Sequence, residues 1–287
     1  MTPLALALVL AAATGHATWN MLLKRAGGGP VFLWLTFALG LALYAPLAAG
    51  LVLIERPPIG LRELTFMLGS GGLHLGYFLL LERGYRAGDL SLVYPLARGT
   101  GPALATVAAI VFFAERPSPL ALFGAILVAC GLLVLSGPRR LVDLDAPRAA
   151  AAVGYALATG SFIAAYTLWD AHAVAVVAIS PLLLEWASNA VRTALLAPLV
   201  ARRPGDVASI WREHRTEVLG VAALSPLAYI LVLSALVSTP VSYVSPAREL
   251  SIVIGVAMGS WLLGEAAARR LPAAAMIVVG VTALALG

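Results

Sequence analysis

Charge is scarce in this sequence. Charged residues make up 11% of the 287, where soluble domains carry about a quarter. With 61% hydrophobic residues and a mean hydropathy of +0.95, a water-soluble fold is excluded, because no arrangement of the chain hides that much apolar surface. Cysteine occurs once, Cys130, inside an apolar stretch, so neither an intrachain disulfide nor a cysteine-based metal site can be drawn. The four histidines are dispersed and offer no ligand set at tetrahedral-site intervals, so no metal or other cofactor is expected. A phosphate-binding GxxxxGK[ST] loop is missing, which argues against an ATP-driven pump. So is a GxSxG nucleophile elbow. No basic segment precedes the first apolar run, Leu4 to Ala13, as one would in a signal peptide, and that run is read as the first helix.

Long apolar runs recur through the whole chain, each near the ~20 residues that carry a helix across about 30 Å of hydrocarbon. Punctuation by Pro, Gly and charge predicts ten helices at about 3–23, 31–54, 64–81, 90–113, 119–136, 149–169, 178–200, 217–237, 241–263 and 271–286. Breaks include Lys24-Arg25 with Gly27-Gly28-Gly29, Glu115-Arg116-Pro117, Asp170 to His172, and Arg202 to Arg215. The stretch Gly137 to Pro147 is the most polar near the middle. It divides the chain into a first unit, 1–137, a connecting loop, 138–148, and a second unit, 149–287.

The net charge of +5 does not point to nucleic acid, because the basic residues stand singly or in pairs between apolar runs. They mark topology instead. Of the 19 Lys and Arg, 13 fall in alternate loops: Lys24, Arg25; Arg83, Arg86; Arg139, Arg140, Arg148; Arg202, Arg203, Arg212, Arg215; and Arg269, Arg270. The opposite loops hold only Arg56, Arg62 and Arg116, and Arg98, Arg192 and Arg248 lie within helices. The positive-inside rule then places both termini outside.

The two units match each other in order. At a shift of 145, Ala11, Ala13, Thr14 and Gly15 meet Ala156, Ala158, Thr159 and Gly160. At 152, Ala45-Pro46-Leu47 meets Ala197-Pro198-Leu199. At 151, Leu68, Gly69, Leu73, Leu80, Ser91, Val93 and Pro95 fall on Leu219, Gly220, Leu224, Leu231, Ser242, Val244 and Pro246, and after one deletion Arg98 and Glu115 fall on Arg248 and Glu265. Five helices is an odd number, so such repeats insert in opposite directions. The expected fold is an all-α membrane protein, with ten transmembrane helices as two inverted five-helix repeats around a central cavity.

His16-Ala17-Thr18-Trp19-Asn20 followed by Lys24, the run Pro95-Leu96-Ala97-Arg98-Gly99 through Gly101-Pro102, and Gly264-Glu265 together resemble the drug/metabolite transporter superfamily, in its ten-helix EamA-type form. The resemblance covers essentially the whole chain. It implies a cavity lined by helices 1, 3, 4, 6, 8 and 9, and a bacterial-type inner membrane. It leaves the solute open, since the superfamily includes amino acid exporters, metabolite exporters and sugar-phosphate or nucleotide-sugar exchangers.

An ionisable side chain at the bilayer centre costs at least about 2.5–3.5 kcal/mol and must face a cavity or a partner. Arg98 and its repeat partner Arg248, beside Glu249, are read either as an anion-holding pair or as structural ion pairs with Glu249 or Glu185. Glu185, Asn189 and Arg192 stand at i, i+4 and i+7, hence on one face of helix 7, as a salt-bridged seam between helices or as solute-contacting and coupling groups. His16 and Asn20 with Trp19 on helix 1, and His74 with Tyr77 on helix 3, point toward one pocket, which Tyr94, Tyr166, Tyr229 and Tyr243 would furnish with aromatic, hydrogen-bonding surface. Trp169 and Trp186 are candidate interface anchors. The Gly69-Ser70-Gly71-Gly72 cluster reads as close helix packing.

The expected function is secondary transport of a small polar or amphipathic, amino-acid-like solute by alternating access, with protons or a counter-solute as coupling partner. Export is implied by the resemblance alone. The second reading is exchange of an organic phosphate or sugar-linked anion clamped by Arg98 and Arg248. A third, from a different class, is an intramembrane enzyme with Ser70 or Ser161 as nucleophile and His74 or His16 as base.

Overall fold

The computed structural model of the chain describes residues 1–87, 90–136, 146–263 and 271–287. These are predominantly helical, with no strand among the described residues. The helices are α1 (Pro3–Arg25), α2 (Pro30–Glu55), α3 (Leu61–Ala87), α4 (Leu90–Phe112), α5 (Pro119–Ser136), α6 (Ala146–Ala175), α7 (Pro181–Ala201), α8 (Pro204–Leu236), α9 (Val241–Ala247), α10 (Leu250–Leu263) and α11 (Leu271–Leu286). Only Arg248 and Glu249 separate α9 from α10, so the pair is one interrupted helix and the described chain holds ten. Most of the expected connecting loop, and Gly264, Glu265, Arg269 and Arg270, lie outside the described residues.

Local chemistry accounts for several boundaries. Pro3, Pro30, Pro181 and Pro204 open their helices, where a missing N–H costs nothing. The Thr2 side chain accepts from the Ala5 N–H at 3.2 Å and caps α1. After α1, Gly27, Gly28 and Gly29 all have positive φ (71°, 64° and 100°), a turn that side-chain-bearing residues resist. At the other end of the connection after α4, both oxygens of Glu115 accept from the N–H groups of Val241 and Ser242, at 2.8 and 2.9 Å, and so cap α9.

Among the described residues, six helices are long and apolar enough to cross a membrane. Others depart from that form for visible reasons: α5 and α11 are apolar but shorter, α7 carries buried Glu185 and Arg192, and α9–α10 is interrupted. The exterior is strongly apolar. Leu53 on α2 is 74% exposed and Ile126 on α5 is 62% exposed, which suits hydrocarbon as the surrounding medium.

Three expected boundaries are corrected. Asp170 to His172 is no break: α6 runs on to Ala175, because Asp170 is fully buried with a hydrogen-bond partner instead of meeting solvent. The polar stretch 202–215 is largely helical, and α8 begins at Pro204 with a non-helical joint at His214 (φ −129°, ψ 26°). The ninth helix is not continuous, since it breaks at the two charged residues after Pro246.

The main helix pairs are α1 with α8, α3 with α6, α2 with α7, α4 with α6, α1 with α10, and α5 with α11. Small residues set the approach. A Cβ on Gly69 would lie 2.6 Å from the Trp169 ring, on Gly76 2.3 Å from the Phe162 ring, and on Gly220 2.5 Å from Leu22. Gly69 and Gly76 of α3 are thus the bed for α6, while a Cβ on Gly71 would lie 2.5 Å from Val191 of α7. Between α2 and α7, the Trp34 indole N–H donates to the Thr193 carbonyl at 3.1 Å and that of Trp186 to the Leu41 carbonyl at 3.0 Å. Early residues of one helix thus meet later residues of the other, so α2 and α7 run antiparallel. Trp169 likewise donates to the Phe66 carbonyl at 2.9 Å; these tryptophans tie helix to helix.

Candidate functional site

A cavity of about 510 Å³ lies among α1, α2, α3, α4 and α7. Its outer rim is the α1–α2 connection, with Lys24, Gly27 to Gly29 and Pro30, facing Glu82 and Tyr85 of α3. Deeper in, Trp19 and Asn20 face Phe37, Tyr77, Phe78 and Tyr94. The wall is therefore mostly aromatic and aliphatic, with an amide and phenol hydroxyls as its polar points. Such a lining holds a small amphipathic molecule and orients it through few hydrogen bonds.

Helix periodicity puts these groups there. Asn20 follows His16 by one turn on α1, and its Nδ2 donates to the His16 carbonyl at 2.7 Å, while the Trp19 N–H donates to His16 Nδ1 at 2.9 Å. His16 is thereby a support for Trp19 and Asn20 and is not itself among the lining residues. On α3, Tyr77 reaches the cavity and His74, nearly one turn away, is buried beside it.

Beneath the aromatic wall lies a buried polar cluster. The His74 ring stacks on Tyr166 at a centroid distance of 4.1 Å and meets Tyr229 edge-on at 5.0 Å, and Tyr77 meets Tyr166 edge-on at 5.8 Å. His74 Nδ1 lies 2.9 Å from the Ser70 carbonyl. A carbonyl only accepts, so this nitrogen carries the hydrogen. The same nitrogen is 3.9 Å from Asp170 Oδ2, which accepts the Tyr229 hydroxyl at 2.6 Å.

The two arginines share one carboxylate. Arg98 Nε donates to Glu249 Oε2 at 2.8 Å and its terminal nitrogen to Ser251 Oγ at 3.4 Å. Arg248 Nε stands 3.6 Å from Glu249 Oε1, and its terminal nitrogen donates to Thr167 Oγ1 at 3.0 Å. Both guanidiniums are buried and neither lines the cavity. This is the structural pairing with Glu249, joining α4, α6 and the α9–α10 junction.

On α7, Arg192 reaches back two turns to Glu185 at 2.7 Å, so that ion pair lies within one helix and not between helices, which corrects the expected seam. The Arg192 guanidinium also stands 4.9 Å over the ring of Phe37, a cation–π contact behind the cavity wall. Asn189, on the same face, leaves its Oδ1 without a partner.

Of the residues singled out from sequence, Trp19, Asn20, Tyr77 and Tyr94 line the cavity. His74, Tyr166, Arg98, Arg248 and Glu249 lie in the polar cluster next to it. Tyr243 lies elsewhere: its hydroxyl accepts from the Ser118 N–H at 3.1 Å and donates to the Gly287 carbonyl at 3.4 Å. Asp170, which accepts from Tyr229, and Thr167, the acceptor for Arg248 one turn earlier on α6, escaped the sequence reading. The available signal was Asp170's position four residues after Tyr166 within an otherwise apolar run, Leu168-Trp169-Asp170-Ala171.

No family profile matches the chain, and no curated protein matches it in sequence. Among solved structures, one described only as "Crystal structure of protein" shares its fold, with a TM-score of 0.73 over 98% of this chain and 96% of that one, at 20% sequence identity. At that identity the likeness is one of fold alone.

Proposed function

We propose that this chain is a ten-helix secondary transporter of the EamA-type drug/metabolite transporter kind, which moves a small amino-acid-like or other amphipathic metabolite across an inner membrane. The observation that carries the reading is the 510 Å³ cavity, whose inner wall is Trp19, Asn20, Tyr77 and Tyr94 and whose rim is the Lys24 to Pro30 connection. By the positive-inside rule that rim faces the cytoplasm and both termini face the periplasm. Solute then enters or leaves the cavity on the cytoplasmic side in this conformation.

Inverted repeats are supported by contacts that exchange under the sequence shifts. Trp34 and Trp186 stand 152 residues apart, and so do their acceptors Leu41 and Thr193. Exchange of the repeats turns one bond into the other. The pairs α1–α8 and α3–α6 exchange in the same way, and Gly69 and Gly220, equivalent at a shift of 151, are each the point of close approach of the crossing helix. Such an arrangement suits alternating access by one repeat rocking on the other.

The occupied arginines weigh against a phosphate clamp, since Arg98 and Arg248 already hold Glu249. Hydrolysis is also disfavoured. Ser70 Oγ and Asp170 both face the same His74 nitrogen, which bears a hydrogen and cannot act as base, and Ser70 is buried away from the cavity. Purified protein in liposomes, loaded with radiolabelled L-amino acids, tests the reading: saturable flux supports it, and absence of flux for the whole set removes the amino-acid assignment.

A further inference from the structure

Resting on that transport reading, we propose that Asp170, with His74 at its side, is a proton-binding site, and that loading of this proton governs solute movement through the adjacent cavity.

Three buried carboxylates lie in the described interior. Glu185 has a guanidinium at 2.7 Å and Glu249 has one at 2.8 Å and another at 3.6 Å. Asp170 has neither. It is 0% exposed; Oδ2 accepts one phenol hydrogen, Oδ1 has no partner, and the basic side chain within 4 Å is His74 at 3.9 Å. A buried carboxylate without a cation is costly, and binding a proton removes the charge.

The groups around it are disposed for a single exchangeable proton. From α3 comes His74, and from α8 Tyr229. From α7 come Glu185 and Arg192, which act on Asp170 at longer range and neutralise each other. Following α9, Arg248 reaches α6 at Thr167, one turn before Asp170, and shares Glu249 with Arg98 of α4. Proton uptake at Asp170 therefore changes the net charge of a site in which Arg192 is paired with Glu185 and Glu249 is shared between Arg98 and Arg248.

The site also touches the cavity wall. His74 stacks on Tyr166, and Tyr166 meets Tyr77, which lines the cavity. A change in the charge of Asp170 alters how His74 is held and, through two ring contacts, where Tyr77 stands. Asp170 thus holds α8 through the Tyr229 hydroxyl and faces His74 of α3 across 3.9 Å, so that its charge acts on both.

The test uses the full chain in liposomes with two readouts. Infrared difference spectroscopy across a pH titration needs no solute; it should show one protonated carboxyl band that is lost in Asp170→Asn and whose midpoint moves in Tyr229→Phe and His74→Gln. Flux of the radiolabelled L-amino acid mixture should rise several-fold under an imposed pH gradient, and Asp170→Asn should lose that dependence. If Asp170→Asn does not fold, the midpoint shift in Tyr229→Phe carries the same decision. A band that titrates without any flux would support the proton site while removing the amino-acid reading. Saturable flux indifferent to the gradient, with no titrating carboxyl, would overturn the proton site and leave transport standing. A titrating band unaffected by Asp170→Asn would likewise overturn it.

Discussion

Tyr229 and Asp170 meet across the α6–α8 interface, with the phenol hydroxyl donating to Oδ2 at 2.6 Å. Both side chains are buried, and they stand 59 positions apart in the chain. Loss of the hydroxyl leaves a second carboxylate oxygen without a donor. Tyr229→Phe is therefore expected to lower stability by about 1–3 kcal/mol, the cost of an unsatisfied buried polar group, measurable by thermal unfolding in detergent. An unchanged melting temperature would show that the carboxyl finds another partner.

The Glu249 carboxylate is shared by two buried guanidiniums. Glu249→Gln leaves Arg98 and Arg248 uncompensated and is expected to cost about 3–5 kcal/mol. Arg86→Ala breaks a pair of similar length, 2.6 Å to Glu82, but Arg86 is solvent-exposed, and no measurable change is expected. Equal effects in thermal unfolding would mean that the interior pair is as well hydrated as the surface one.

The two indole bonds between α2 and α7 should be energetically interchangeable. Trp34→Phe and Trp186→Phe each remove one N–H donor and are expected to cost about 1 kcal/mol apiece. A loss confined to one of them would break the equivalence that the 152-residue offset gives the pair.

Glycines should sort by what a Cβ would meet. On Gly124 of α5 it would lie 2.5 Å from the Gly280 carbonyl of α11, backbone that cannot turn aside, whereas at Gly50 of α2 nothing lies within 4 Å. Gly124→Ala is expected to lose about 1–3 kcal/mol through overpacking. Gly50→Ala is expected to gain about 0.5–1 kcal/mol through reduced chain entropy. Melting temperatures that move in the same direction would contradict the packing of α5 on α11.

Cavity residues should affect solute affinity before stability. Asn20→Ala and Tyr94→Phe each remove a polar point from the wall. For a solute bound through them, KM is expected to rise about fivefold, the equivalent of about 1 kcal/mol. Tyr243→Phe, whose hydroxyl bridges Ser118 and Gly287 at a distance from the cavity, is expected to leave KM unchanged. Topology is checked separately in a Cys130→Ala background, where Thr2→Cys should label from outside and Pro147→Cys from inside.

Helix existence was legible in the sequence because lipid demands apolar runs of fixed length, and proline and glycine punctuate them. Boundaries failed where charge was taken as exposure. Asp170 reads as a break because an acid in an apolar run usually meets water, yet its partners arrive from α3 and α8, far away in sequence. The same held for Arg202 to Arg215, where polarity conceals a helix that bends at His214. Trp19, Asn20, Tyr77 and Tyr94 were legible as lining because i, i+4 spacing and aromatic character survive without coordinates. The partner of Arg98 was only half legible: Glu249 was one of two candidates, and the choice depends on how α4 crosses the α9–α10 junction.

The antiparallel indole bonds between α2 and α7 also limit how those helices can move. Each donor lies near one end of the contact, so a shear of α7 along α2 carries both indoles off their acceptors together. A rocking motion about the line through the contact alters each bond angle only slightly. The two bonds of the α2–α7 seam therefore oppose sliding of one helix along the other more than tilting between them.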